Sequence, residues 1–160
     1  GFILHALARP RSDQATINRE VTPATICDDL TRDLGALFVC THMDGSTRIR
    51  TPFLYPDGDV IDLFVQDHDG GLAITDRGET LRWLRDHAVS LELSDRQTRA
   101  IEDVCLTHGL EFVRGTLFAR VRPGESIAAT MLRVAQGALR VADLSFTMGT
   151  RIVEGGTDDV

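Results

Sequence analysis

The chain predicts an α+β fold: a single domain with an antiparallel β-meander of about four strands and a C-terminal hairpin, packed with about four helices. Three observations lead there. Short runs rich in β-branched and aromatic residues succeed one another between residues 36 and 75, separated by Gly- and Asp-containing breaks. Helical periodicity brackets that block on both sides. A length of 160 residues, 42% apolar and 26% charged, suits one core of ordinary size.

Residues 9 to 21, "RPRSDQATINREV", are polar and aperiodic, and the whole of 1–21 is expected to be a flexible arm. A helix is expected over 23–34. Thr22 is placed to cap it, Pro23 takes the first helical position and Gly35 the stop, while Ile26, Leu30 and Leu34 form a stripe expected to face a core. The runs "ALFVCTHM", "TRIRTPFLY", "DVIDLFVQ" and "LAITD" then read as a meander with turns at "DGS", "PDGD" and "DHDGG". Pro52 removes a ladder donor, so its strand is expected to lie at an edge or to carry a bulge. "DRGETLRWLRDH" is helical with Leu81, Leu84 and Ala88 on one side; Trp83 falls off that stripe with Thr80 and His87. Ser94 and Gln97 stand at capping-box spacing ahead of a helix closed by Gly109. A hairpin turning at Arg114-Gly115 and a helix over 125–143 complete the domain, which is expected to span 22–147 before an acidic tail over 148–160.

Composition narrows function. The net charge is −7 and all 17 basic residues are arginine, which argues against binding duplex nucleic acid by neutralising many phosphates. Lysine is absent, and with it the usual residue of a P-loop or a Schiff base. Cys27, Cys40 and Cys105 form no C-x-x-C pair, and the five histidines have no common helical spacing. No run approaches the roughly 20 apolar residues of a spanning helix, and the first residues resemble no secretion signal, so no membrane association and a cytoplasmic location are expected.

The aspartates of "YPDGDVIDLFVQDHDGGLAITDRGETLRWL" are the candidates for chemistry. Asp57, Asp67 and Asp69 fall in turn sequences and read as turn residues. Asp76 follows a strand and has Glu79 three residues later, which reads as a helix cap. Asp62 stands at the centre of a strand with apolar residues on both faces, expected to be an inner strand covered on each side, where a carboxylate needs an arginine partner or a perturbed pKa. Asp59, Asp62 and Asp76 are therefore the candidate catalytic residues. Asp62 and Asp76 together are the alternative ligands of a divalent metal; otherwise no cofactor is expected.

The stretch "IRTPFLYPDGDVIDLFVQ…GGLAITDRGETLRWL", followed by "HGLEFVRGTLFARVRPGESIAATMLRVAQGALRVADLSF", resembles the domain of unknown function 1828 family over roughly Cys27 to Phe146. The T-P-F element, Asp59 and Asp62, and the T-D-x-G element at Thr75, Asp76 and Gly78 carry the likeness. It implies a bacterial or prophage, mobile-element context and assigns no reaction. Two functions follow. One is a non-enzymatic module that binds another protein, or a second copy through the stripe of the last helix, in phage defence, counter-defence or a toxin–antitoxin setting. The alternative is a metal-dependent phosphodiesterase with Asp62 and Asp76 as ligands and Asp59 assisting. The alternative loses its basis if Asp76 bonds the amides of its own helix while Asp62 faces an arginine.

Overall fold

A computed structural model describes residues 21–88 and 92–155, with side chains described as far as Phe146. The expected arm lies outside the described residues apart from Val21, as does the end of the expected tail from 156 onward. The chain divides into two compact units, Gly1–Ala36 and Leu37–Val160.

The first unit contains α1 (Pro23–Leu34). Pro23 opens it, and the backbone N–H of Thr22 donates to Thr25 Oγ1 at 3.1 Å. Gly35 does not stop the chain in a left-handed turn; it stays right-handed and leads into a 3-10 turn, Gly35–Leu37. Among the described residues the apolar stripe is not buried as expected. No residue of α1 is buried, and Ile26, Leu30 and Leu34 are 43, 55 and 52% exposed.

The second unit is the α+β domain. Strands β1 (Val39–Met43), β2 (Ser46–Leu54), β3 (Val60–His68) and β4 (Gly71–Thr75) form the meander; α2 (Glu79–Asp86) and α3 (Asp95–His108) follow, then β5 (Glu111–Val113), β6 (Thr116–Arg120) and α4 (Ile127–Gly155). All six strands form one antiparallel sheet in the order β1-β2-β3-β4-β6-β5. The hairpin joins the meander because β6 pairs with β4, setting Ile74 opposite Ala119 and Thr75 opposite Phe118. β2 is an inner strand, so Pro52 is accommodated by irregularity: register shifts between Arg50 and Leu54. The Thr51 hydroxyl bridges the gap, donating to the Ile61 carbonyl at 2.7 Å and accepting from the Phe53 amide at 3.2 Å.

Local signals at the other boundaries hold. Ser94 and Gln97 make the reciprocal bonds of a capping box, at 2.8 and 3.2 Å, and Gly109 ends α3 in the left-handed region at φ 63°. Arg114 and Gly115 turn the last hairpin with both φ positive. β3 runs two residues further than expected, which makes Asp67 a strand residue opposite Leu72 and leaves Asp69 and Gly70 alone as the turn. The last helix likewise continues to Gly155, beyond the expected end at 143.

Helices cover one face of the sheet. Ile61, Leu63, Ile74, Leu117 and Ala119 point to that face and are fully buried against Met131, Val134, Ala138 and Val141 of α4, with Leu81 and Leu84 of α2 and Ile101 of α3 in the same core. Coverage of β3 on both sides is therefore corrected. Asp62 and Phe64, on its opposite face, are only half-buried.

Candidate functional site

The T-D-R-G element turns β4 into α2 at Asp76. Arg77 and Gly78 both have positive φ, 54° and 78°, and the Thr75 hydroxyl accepts the Arg77 amide at 3.0 Å. This sharp turn aims the Asp76 side chain inward, where it is completely buried. Its Oδ1 accepts the Gly78 amide at 2.9 Å and the Leu117 amide of β6 at 3.0 Å; Oδ2 accepts the Thr80 amide at 3.1 Å. Asp76 thus serves the helix N-terminus as expected, but from outside the cap position. Gly78 is the N-cap residue, and Glu79 makes no capping box, pairing instead with Arg82. Burial raises the Asp76 carboxyl above the ordinary aspartate value, against the opposing pull of its bonds from Gly78, Thr80 and Leu117.

Asp62 meets arginines. Arg50 stands directly opposite it on β2 and Arg48 diagonally, and both of its oxygens are engaged: Oδ2 by Arg48 Nε and Nη2 at 3.1 and 2.5 Å, Oδ1 by Arg50 Nε at 3.3 Å. Its side chain keeps 20% exposure, so this is a partly solvated pair on the open sheet face. Beside it, Arg77 lays its guanidinium 4.0 Å over the Phe64 ring and donates to Ser46 Oγ at 2.9 Å. On this face Arg77 thus roofs Phe64 while Arg48 and Arg50 hold Asp62.

Two adjoining clefts border α2. One of about 380 Å³ is lined by Arg50, Asp59, Arg82 and Trp83 among others, and one of about 370 Å³ by Arg48, Asp62, Phe64 and Arg77; they share Tyr55, Val60 and Glu79. Asp59 and Asp62 therefore line different clefts, and Asp76 lines neither. Asp59 contributes chiefly through its backbone: its amide donates to Asp57 Oδ1 at 3.0 Å and its carbonyl accepts the Tyr55 amide at 2.7 Å.

An aromatic stack forms the wall behind the first cleft. Tyr55 lies parallel to Trp83 with centroids 5.4 Å apart, and Trp83 to His87 at 4.1 Å. This is the second contact suggested by the position of Trp83 with Thr80 and His87: Tyr55 Oη bonds Thr80 Oγ1 at 2.9 Å. Burial pushes the Tyr55 hydroxyl up to about 12, so it keeps its proton at neutral pH. Asp57, expected only to turn the chain, also lies 3.4 Å from His87 Nε2; the Asp59 amide, foremost, holds its carboxyl below the ordinary value. The Tyr55–Thr80 bond had no local sequence signal, since 25 residues separate the partners.

Chemically, the carboxylates of Asp62 and Asp76 are occupied. Any cation on Asp62 would displace two guanidinium groups, and any on Asp76 would strand buried amides. Among the described residues no group of three or more histidines, cysteines or carboxylates is placed to hold a metal ion.

A family model, "Domain of unknown function DUF1828", matches residues 51–141. The chain belongs to this family. The DUF1828 match is narrower than the likeness over Cys27 to Phe146: it begins inside β2, ends within α4, and includes Asp59, Asp62, Asp76 and the aromatic stack. α1 and β1 lie outside it. No curated protein and no solved structure matches the chain. No helix among the described residues is long and apolar enough to cross a membrane.

Proposed function

We propose that this DUF1828 protein is a non-enzymatic protein-interaction module, cytoplasmic, and part of a bacterial or phage mobile-element or defence system. The observation that carries the reading is α1: an amphipathic helix whose apolar stripe, Ile26, Leu30 and Leu34, is about half exposed. A stripe of this kind fits an apolar groove on another protein. Covering the exposed part of each side chain is worth roughly 1 kcal/mol. α1 also carries Asp28, Asp29 and Asp33 against the single Arg32, so the groove that suits it has a basic rim. The engagement of Asp62 by arginines and of Asp76 by amides supports the same reading, because it leaves neither carboxylate free for catalysis.

The test is comparative capture from the native host at physiological salt, with the wild-type chain and with Leu30→Asp/Leu34→Asp. The expected result is a reproducible partner that the wild type retains and the variant loses, with the melting transition unchanged. Absence of a reproducible partner, or equal retention by the variant, overturns the proposal.

A further inference from the structure

We propose that the outer edge of β1 is a homodimer interface in which two copies pair their β1 strands antiparallel about Thr41. Among the described residues β1 is an end strand of the sheet, paired only with β2, and all five of its residues are exposed. Edge strands are normally blunted by charge, proline, a bulge or brevity. β1 has none of these protections: "VCTHM" contains no charged residue and no proline, and its register with β2 is unbroken from Val39↔Arg50 to Met43↔Ser46. The opposite edge is treated differently, since β5 is three residues long and begins with Glu111.

The register selects a second copy. The two-residue turn Asp44-Gly45 closes on Met43 and Ser46, so Met43, Thr41 and Val39 bond β2 while the N–H and C=O groups of Cys40 and His42 point outward. A two-fold axis at Thr41 sets Cys40 opposite His42 of the second copy, and the reverse, which satisfies all four outward groups. It also sets Val39 against Met43 of the second copy on the open face. These two apolar side chains, 56 and 48% exposed, then cover each other. A shift of two residues in register loses both matches. The pairing is closed and symmetric, so it ends in a dimer and not a fibre. It goes beyond the α1 reading and does not depend on it.

The test is directed disulfide formation in the full chain with Cys27→Ser and Cys40→Ser, leaving buried Cys105 in place. Thr41 faces its own copy as a non-hydrogen-bonded pair, about 4.5 Å between Cα atoms, which suits a disulfide. Thr41→Cys is expected to give a covalent dimer on mild oxidation. Val39→Cys alone is expected to cross-link at least ~10-fold less, and a mixture of Val39→Cys with Met43→Cys to recover the dimer. Thr41→Lys should shift the concentration-dependent mass of the otherwise wild-type protein to that of a monomer. Should that variant fail to fold, the cross-linking series still decides. A wild-type chain monomeric at every concentration, its edge taken by its own N-terminal residues or kept for a foreign strand, overturns the proposal. So does Thr41→Cys cross-linking no better than Val39→Cys. Leu30→Asp/Leu34→Asp should leave the Thr41→Cys dimer intact, which separates this interface from the α1 surface.

Discussion

Replacing Asp76 by asparagine removes one of the three amide bonds that its carboxylate accepts at the β4–α2 corner. In the wild type, Oδ1 receives two amides and Oδ2 one, all within 2.9–3.1 Å in a fully buried site. An asparagine oxygen can keep the Gly78 and Leu117 amides, but its NH₂ then faces the Thr80 amide, donor against donor. Losing one bond to a charged group costs about 1.5–3 kcal/mol, and a buried amide left without an acceptor adds to that cost. Asp76→Asn should therefore destabilise by roughly 2–4 kcal/mol, and Asp76→Ala, which strands all three amides, by roughly 4–5 kcal/mol. Because Trp83 is the only tryptophan and belongs to α2, urea unfolding followed by its fluorescence reports on this corner; with a slope of about 1–3 kcal/mol/M the midpoint falls by about 1 M or more. The pH dependence adds a second check. Burial raises the folded-state pKa, so the contribution of Asp76 to stability is full below the ordinary aspartate pKa and declines as pH rises through the folded value. The asparagine variant lacks that decline, so its deficit relative to wild type should grow on acidification. A deficit under about 0.5 kcal/mol, within the range of ordinary surface substitutions, would refute the structural role of this carboxylate.

Asp62→Asn should behave differently, costing about 1 kcal/mol or less and less still at high salt, since its arginine partners are solvent-accessible; a loss above about 3 kcal/mol would mark a buried pair. Tyr55 is the only tyrosine, so its phenolate absorbance should titrate near about 12 in the folded chain, and stability should fall from the ordinary tyrosine pKa up to that value. The Cys105 thiol, raised by burial to about 11, adds to the same alkaline decline, and Tyr55→Phe should remove the tyrosine part; titration at the ordinary tyrosine value would contradict the buried hydroxyl. Gly137→Ala places a Cβ where Leu110 Cδ1 now sits; the overpacking should outweigh the roughly 1 kcal/mol gain in helix propensity and lower the melting temperature.

Elements marked by local chemistry were legible in the sequence. Ser94 with Gln97, Gly109 and Arg114-Gly115 signal their own roles within a few residues, and of the helical stripe Ile127, Met131, Val134, Ala138 and Val141 all but the exposed Ile127 enter the core. The irregularity at Pro52 was legible too, because a missing N–H has few solutions in a sheet. What escaped depends on distance along the chain. Nothing near Asp76 announces the Leu117 amide, 41 residues away, and nothing in the alternation of β3 distinguishes a covered second face from one on which Phe64 lies beneath Arg77. The stripe of α1 escaped for another reason: periodicity shows that a helix has an apolar side, but not whether that side meets a core.

That last distinction is measurable by unfolding Leu30→Ser/Leu34→Ser against the wild type. An exposed docking stripe requires unfolding free energies equal within about 0.5 kcal/mol, with loss of partner retention. A fall of several kcal/mol, the cost of truncating core leucines, would show that the stripe holds the fold together and contradict its role as the interaction surface.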